Sequence, residues 1–107
     1  MICRPWTGNG RIGGFISGMR NTAYCDCEII RLYVSREVQG CGIGSQLLEY
    51  MMYCYRGLGC RTMAARTLLG ARNNSFYLKQ GGTENQTQDF EFGGRKYPAV
   101  EFTFSLE

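Results

Sequence analysis

Gln39-Gly40-Cys41-Gly42-Ile43-Gly44 is the stretch that decides the fold, because it separates a strand pattern from a helix pattern. Before it, residues 28–34 (EIIRLYV) form an apolar, β-branched run that predicts a strand. After it, apolar residues recur at helical spacing from Ile43 to Leu58, which predicts a helix with one apolar face. A strand, a glycine turn and a helix in this order place unpaired amides at the positive end of a helix dipole. The stretch is therefore predicted to cradle a phosphate or pyrophosphate, with glycine allowing close approach to the main chain.

Length and composition indicate one globular domain. The chain has 107 residues, of which 44% are hydrophobic and 20% are charged, so we expect a single domain over residues 1–107. No apolar run approaches the roughly 20 residues that a membrane helix needs, so no membrane partner is expected. The N-terminus lacks a basic region followed by an apolar segment and a cleavage site. We therefore expect no secretory signal and a cytoplasmic protein.

Charge and cysteine content narrow the possible partners. The net charge of +3 is scattered, with no basic run longer than Arg95-Lys96, so nucleic acid is not an expected partner. Histidine is absent, which removes the commonest general base and the commonest metal ligand. Spacings between the six cysteines do not repeat and no oxidising compartment is indicated, so we expect reduced thiols, with neither disulfides nor a metal site. They are Cys3, Cys25, Cys27, Cys41, Cys54 and Cys60.

The remaining patterns give the order of the elements. Strands are predicted at residues 2–7 and 12–19, joined by the turn Gly8-Asn9-Gly10, and a third strand at 24–34. Helices are predicted at 42–56 and 72–80, with a strand at 61–67 between them. A hairpin around Gly93-Gly94 closes the chain, with alternating apolar residues on both sides. The order β-β-β-α-β-α-β-β predicts an α/β protein of the α+β kind, with a mixed and mostly antiparallel sheet.

In this order the residues resemble the GNAT N-acetyltransferase superfamily. Residues 39–44 match that family's acyl-CoA pyrophosphate motif, Q/R-x-x-G-x-G/A, and residues 76–81 (FYLKQG) match the F-Y-x-K-x-G pattern of its fourth helix. Residues 28–34 look like its fourth strand, and Ser45-Gln46-Leu47-Leu48 like the start of its third helix. Both motifs stand in the family's order and at its usual interval. The resemblance implies a GNAT-like acyl-CoA N-acyltransferase fold.

The chain departs from the family pattern at three places. Aligned on the two motifs, Met1 falls near the family's second strand, so we expect an N-terminally shortened fold without the first strand and first two helices. Those elements normally form one wall of the acceptor groove. Gly70 stands where the family often has an asparagine, and Gly82 replaces the phenylalanine of a closing G-F pair.

The resemblance implies acetyl-CoA as co-substrate, with no metal. Backbone groups of Leu32, Tyr33 and Val34 would pair with the pantetheine arm, because the family's fourth and fifth strands splay apart. Amides of the turn would hold the pyrophosphate and Asn73 would add a contact. The turn residues are Gln39, Gly40, Cys41, Gly42, Ile43, Gly44 and Ser45.

Two side chains are candidates for the chemistry. Tyr77, in the second motif, would donate a proton to the thiolate that leaves when a thioester is cleaved; the alternative is a core tyrosine. Glu28 would accept the proton of the incoming amine through water, and the alternative is a solvated or ion-paired strand residue. Asp26 and Glu101 are lesser candidates for this base.

The sequence therefore predicts an N-acetyltransferase that moves an acetyl group from acetyl-CoA to a primary amine by direct transfer, since no nucleophile for a covalent intermediate stands out. The alternative is a shortened acyl-CoA-binding module with little or no catalysis. A redox or metal-binding cysteine protein is a third hypothesis. Aromatic residues Tyr97, Phe102 and Phe104 of the C-terminal strands are predicted to be core or dimer surface, and a homodimer is expected.

Overall fold

The computed structural model describes residues 2–8, 10–21 and 26–107. Within these ranges the chain forms eight strands and two helices, with a short 3-10 turn at Arg36–Val38. The elements are β1 (Ile2–Gly8), β2 (Arg11–Arg20), β3 (Cys27–Val34), α1 (Ile43–Gly57), β4 (Thr62–Leu68), α2 (Asn74–Lys79), β5 (Thr83–Gln86), β6 (Phe90–Phe92), β7 (Arg95–Tyr97) and β8 (Ala99–Ser105).

Six of these strands form one sheet in the order β1-β2-β3-β4-β8-β5. β3 and β4 run parallel because α1 crosses between them, and the other neighbours are antiparallel. β6 and β7 form a separate two-stranded sheet. The predicted fold class, a mixed and mostly antiparallel sheet with helical crossovers, is confirmed.

Helix α1 packs one apolar face against the half of the sheet formed by β1, β2 and β3. Its buried side chains recur three or four residues apart, as the sequence pattern predicted, and belong to the same core cluster as buried residues of β2, β3 and β4. They are Ile43, Leu47, Leu48, Met51 and Tyr55. The helix ends at Gly57, and Gly59 follows with a φ of +86°, a conformation that favours glycine. This packing fixes the start of α1, and with it the glycine turn, at the end of β3.

The C-terminal region corrects one expectation from the sequence. The turn at Gly93-Gly94 forms, but it joins β6 to β7, and Pro98 separates β7 from β8. β8 does not pair with β6; it pairs with β4 and β5. The physical reason is burial, because Phe102 and Phe104 must face the core, where they are 0% and 2% exposed. Strand β5, which lies between α2 and β6 in the chain, was not predicted.

Other boundaries differ by a few residues. The third strand starts at Cys27, and the predicted start at Tyr24 lies outside the described residues, as does Asn9 of the first turn. Helix α2 begins at Asn74, two residues later than the predicted start at Arg72, and a turn precedes it. No helix of the described ranges is long and apolar enough to cross a membrane.

The five cysteines in the described ranges are all free thiols. Cys3 and Cys41 are exposed, Cys54 is half-buried, and Cys27 and Cys60 are buried. Cys25 lies outside the described residues. Within those same ranges the acidic and thiol side chains form no cluster suited to a metal ion.

Tyr55 is the one described residue whose buried side-chain polar atom lacks a hydrogen-bond partner. Its side chain is 0% exposed and belongs to the core cluster, near the C-terminal end of α1. The hydroxyl lies so close to Gly18 that a Cβ there would be 2.6 Å from it. Burial, reinforced by the neighbouring Cys27 and Cys60, raises the pKa of the Tyr55 phenol from 10.0 to about 12.

Candidate functional site

Strands β3 and β4 lie side by side at only three pairs of residues. These pairs are Cys27 with Met63, Glu28 with Ala64, and Ile29 with Ala65. Beyond Ile29 the register of β3 against β2 shifts by one residue, which indicates a β-bulge at Ile30. β4 meanwhile continues along β8 as far as Leu68. The two strands therefore part, and their facing edges open into a cleft.

A cavity of about 520 Å³ fills this opening. Tyr77 of α2 and Asn73, the residue before this helix, contribute to its wall, and the two strands contribute most of the rest. The lining residues are Phe15, Ile29, Ile30, Arg31, Leu32, Tyr33, Ala65, Arg66, Thr67, Asn73 and Tyr77. The structure thus brings the predicted pantetheine-binding residues Leu32 and Tyr33 to the same cleft as the predicted general acid Tyr77.

A second cavity of about 510 Å³ lies over the glycine turn. It shares Leu32, Tyr33 and Asn73 with the cleft, so the two spaces are adjacent. Every predicted cofactor-binding residue except Cys41 lines this second cavity, together with Val38 and Phe76, which sequence reasoning missed. A larger cavity of about 880 Å³ beside the end of β3 contains neither Tyr77 nor the turn glycines. We therefore place the candidate site in the two smaller, adjoining spaces.

The backbone of the turn is built for close approach. Gly40 and Gly42 have φ values of +83° and +80°, which side chains other than glycine rarely adopt. Gly42 precedes the first helical residue of α1, so the amides of the following residues lack intrahelical partners. Open space surrounds the position of a Cβ at Gly42. The turn therefore presents amide donors and a helix N-terminus to the second cavity, which suits a pyrophosphate.

Three contacts hold this cradle in place. The Gln39 side chain donates a hydrogen bond of 2.9 Å from Nε2 to the Val34 carbonyl, which closes the turn back onto β3. Gln80 Nε2, from the second motif, donates at 2.8 Å to Oγ of Ser45, the residue directly after the first motif. A Cβ at Gly44 would lie 3.2 Å from the Phe76 ring, so this glycine lets α1 and α2 approach. The two sequence motifs are thus joined into one site.

Tyr77 has its ring in the core and lines the cleft. Its side chain is 5% exposed, and its ring stacks on that of Phe102 with centroids 5.5 Å apart. Burial raises the pKa of the Tyr77 phenol. The hydroxyl therefore carries its proton at neutral pH, the state that a proton donor requires. Tyr77 is therefore both a core residue and a residue of the cleft lining.

Helix α2 is attached to the end of β4 by Asn74 rather than Asn73. Asn74 Oδ1 accepts a hydrogen bond of 2.6 Å from Thr67 Oγ1, and Asn74 Nδ2 donates to the Leu68 carbonyl at 3.1 Å. Asn73 lies at the N-cap position without a side-chain capping bond, and it lines both cavities. Because Tyr77 follows Asn74 by one turn, this attachment sets where Tyr77 meets the cleft.

The candidate bases lie elsewhere. Glu28 is 9% exposed, in the paired part of β3 opposite Ala64, and only its neighbour Ile29 lines the cleft. Asp26 Oδ2 accepts a hydrogen bond of 2.9 Å from the Arg61 amide, which gives it a structural role. Glu101 lies on β8 opposite Arg66. The structure brings Tyr77 to the lining of the cleft but none of these three carboxylates.

Gly82 has a local explanation. A Cβ at this position would lie 2.9 Å from Cζ of Phe104 and 2.9 Å from the Tyr77 carbonyl oxygen. The Phe104 ring, inserted from β8, therefore occupies the space beside Gly82. An aromatic ring from a distant strand thus stands beside the position where the family has a phenylalanine. The sequence around Gly81 and Gly82 does not predict this contact.

Comparison with known proteins gives the family. The model of the acetyltransferase (GNAT) domain matches residues 6–81. No curated protein sequence matches this chain. Solved structures do match its fold: the ribosomal-protein-S18-alanine N-acetyltransferase of Escherichia coli has 16% identity and a TM-score of 0.77, over 98% of this chain and 68% of that one.

Two further structures contain the coenzyme. An acetyltransferase of Bacillus subtilis in complex with CoA has 20% identity and a TM-score of 0.73, over 96% of this chain and 75% of that one. A Bacillus anthracis protein, provisionally assigned as a streptothricin acetyltransferase and holding acetyl coenzyme A, has 16% identity and a TM-score of 0.80, over 92% and 58%. This chain spans 65% of a GNAT-family structure from Desulfovibrio desulfuricans, so it is shorter than several of its neighbours. The family model covers most of the chain, the fold agrees, and the chain belongs to the GNAT acetyltransferase family.

Proposed function

We propose that this protein is an acetyl-CoA-dependent N-acetyltransferase that transfers the acetyl group directly to a primary amine. One observation carries the proposal: the parting of β3 from β4 opens beside the glycine turn, and Tyr77 lines the opening. An elongated thioester with a pyrophosphate at one end fits an edge of unpaired strand that leads to an amide cradle. The neighbours that hold CoA or acetyl-CoA have the same fold.

The chain's own residues would bind the co-substrate along its length. Amides at the start of α1, from Ile43 to Ser45, would hold the pyrophosphate. Backbone groups of Leu32 and Tyr33 would pair with the pantetheine amides. The Val34 carbonyl already accepts the Gln39 side chain, so it has one acceptor position left for this purpose. Acetyl-CoA, when bound, supplies an acetyl group activated as a thioester.

Proton transfers would then fall to Tyr77 and Glu28. The C–S bond of the thioester breaks as the C–N bond to the amine forms. The amine loses a proton to Glu28 through water, and Tyr77 gives a proton to the departing sulfur. The raised pKa of Tyr77 suits this role because the phenol is protonated at neutral pH. Glu28 requires a water path, since it does not itself line the cleft.

A second candidate function is an acyl-CoA-binding module with little catalysis. The observation that favours it is the position of Glu28, in the paired part of the sheet and away from the cleft lining. The two candidates agree on coenzyme binding and differ on turnover. An assay must therefore measure both.

Calorimetry with acetyl-CoA tests what the candidates share, and thiol release in a screen of primary amines separates them. The enzyme proposal expects binding and amine-dependent thiol release, and the module proposal expects binding alone. Folded protein that does not bind acetyl-CoA would refute both. The homodimer and the cytoplasmic location stay predictions. Phe102 and Phe104 are core residues, whereas Phe92 and Tyr97 are exposed. Sedimentation equilibrium tests whether the exposed pair, Phe92 and Tyr97, mediates self-association.

A further inference from the structure

The cleft has an uneven distribution of charge. Among the described residues its lining contains two arginines, Arg31 and Arg66, and neither aspartate nor glutamate. A polyamine acceptor carries several positive charges, and such a lining repels it. An acceptor that carries an anionic group beside its amine is attracted instead.

Arg66 is already engaged by the protein. Its Nε donates to Thr87 Oγ1 at 3.2 Å and its Nη2 donates to the Gln88 carbonyl at 2.9 Å. The guanidinium lies 4.7 Å from the centre of the Phe90 ring, and Glu101 stands opposite on β8. Arg66 therefore fixes the segment that leads into β6, and its guanidinium is held by partners within the protein.

Arg31 is different. It is exposed, and within the described ranges its guanidinium has neither a hydrogen bond nor an ion pair. Its partner across the ladder is Ser17, a side chain too small to cover it. Next to it along the same face, the rings of Phe15 and Tyr33 pair at 5.9 Å and also line the cleft. A fork of donors thus stands beside an apolar patch, an arrangement that suits a carboxylate or phosphate on a hydrocarbon body.

We propose that the acceptor is a primary amine that also carries an anionic group, a carboxylate or a phosphate, and that Arg31 binds this group. The inference rests on the proposed function, and it names a substrate class for the same site. Arg31 would act on substrate binding and leave the chemistry to Tyr77. Its loss should therefore raise KM for the acceptor more than it lowers kcat.

Matched pairs of amines test the proposal, because each pair differs only in the anionic group. Suitable pairs are putrescine and ornithine, cadaverine and lysine, tyramine and tyrosine, and ethanolamine and O-phosphoethanolamine. The first three probe a carboxylate and the last a phosphate. Thiol release with saturating acetyl-CoA gives kcat and KM for each. We expect the anionic member of at least one pair to have a kcat/KM about tenfold or more above its partner.

Variants then assign the preference to Arg31. Arg31→Gln should raise KM for the anionic member about 10- to 100-fold and remove the preference, and Arg31→Lys should restore part of it. Arg11→Gln, an exposed arginine outside both cavities of the site, is the matched control and should behave like the wild type. Equal or reversed preference in the wild type overturns the proposal. So does a preference that survives Arg31→Gln, or an Arg31→Gln variant whose only change is weaker acetyl-CoA binding.

Failure of the proposed function gives a different result. If acetyl-CoA binds but no amine is acetylated, the same pairs are titrated calorimetrically into acetyl-CoA-loaded protein. Tighter binding of the anionic members, lost in Arg31→Gln, would still support the inference. If acetyl-CoA itself does not bind, the proposed function fails, and the pairs are titrated into the free protein. In either case, absence of binding by all members overturns the inference.

Discussion

Tyr55→Phe removes a single hydroxyl group from the hydrophobic core, near the C-terminal end of α1. That hydroxyl is buried and has no hydrogen-bond partner in the described part of the chain. Leaving such a group unsatisfied costs about 1–3 kcal/mol, so its removal should stabilise the protein by about 1 kcal/mol at neutral pH after the lost packing is subtracted. The ring and its contacts are kept.

The difference between the two proteins should grow at high pH. The pKa of Tyr55 is raised from 10.0 in the unfolded chain to about 12 in the folded one. Between these values the unfolded chain loses the proton and the folded protein keeps it, so the stability due to this group is complete below pH 10 and is lost as the pH rises towards 12. The loss is about 1.4 kcal/mol at pH 11 and about 3 kcal/mol in total. Phenylalanine does not titrate, so the variant escapes this loss.

Urea unfolding followed by circular dichroism at pH 7, 9, 10 and 11, under reducing conditions, measures both effects. The exposed Tyr53 gives the matched control, since Tyr53→Phe removes a hydroxyl that is in water in both states. We expect Tyr55→Phe to gain about 1 kcal/mol over the wild type at pH 7 and about 2 kcal/mol at pH 11. A variant less stable than the wild type at pH 7 would show that the hydroxyl has a partner. A difference constant from pH 7 to pH 11 would refute the shifted pKa.

Three further predictions concern the site. Tyr77→Phe should leave acetyl-CoA affinity and stability nearly unchanged, because the ring stack on Phe102 is kept, and should lower kcat about 100-fold or more; unchanged kcat would exclude Tyr77 as the proton donor. Gly42→Glu should abolish acetyl-CoA binding in calorimetry, because it puts a side chain on a left-handed residue and a negative charge in the cradle, whereas Gly57→Glu should bind normally; equal binding by both would move the pyrophosphate elsewhere. Gly82→Phe should lower the urea midpoint, since the Phe104 ring fills that space, and an unchanged midpoint would contradict the packing.

The parts of the fold that depend on neighbouring residues could be predicted from the sequence. The strand, the glycine turn and α1 follow from local periodicity, and the two motifs follow from fixed spacing. The partner of β8 could not be predicted in this way. Pairing with β4 buries Phe102 and Phe104 in a core whose other residues are distant in the sequence. The turn predicted at Gly93-Gly94 does form, but a local turn pattern does not determine where the strand after Pro98 pairs.

The same limit applies to the site. Ten of the eleven residues predicted to bind the cofactor line the cavity over the turn, because the prediction rested on glycines and backbone groups that adjoin one another in the chain; their binding role stays a prediction. Arg31 was missed although it lies inside the strand predicted at residues 24–34. A bulge at Ile30 shifts which residues share a face, and no feature of the sequence marks that bulge. The hydrogen bond between Asn74 and Thr67 was not predicted for a related reason, since Thr67 comes from the preceding strand.

The three-pair contact between β3 and β4 also bears on how the protein holds together. It divides the sheet into two halves, with β1, β2 and β3 on one side and β4, β8 and β5 on the other. A ligand that binds between β3 and β4 would add contacts between the two halves of the sheet. Binding at 100 times its Kd adds about 2.7 kcal/mol to the free energy of unfolding. The coenzyme proposed for this cleft would thus contribute to the stability of the folded protein, and hydrogen exchange at Arg66 to Leu68 should slow when acetyl-CoA is added.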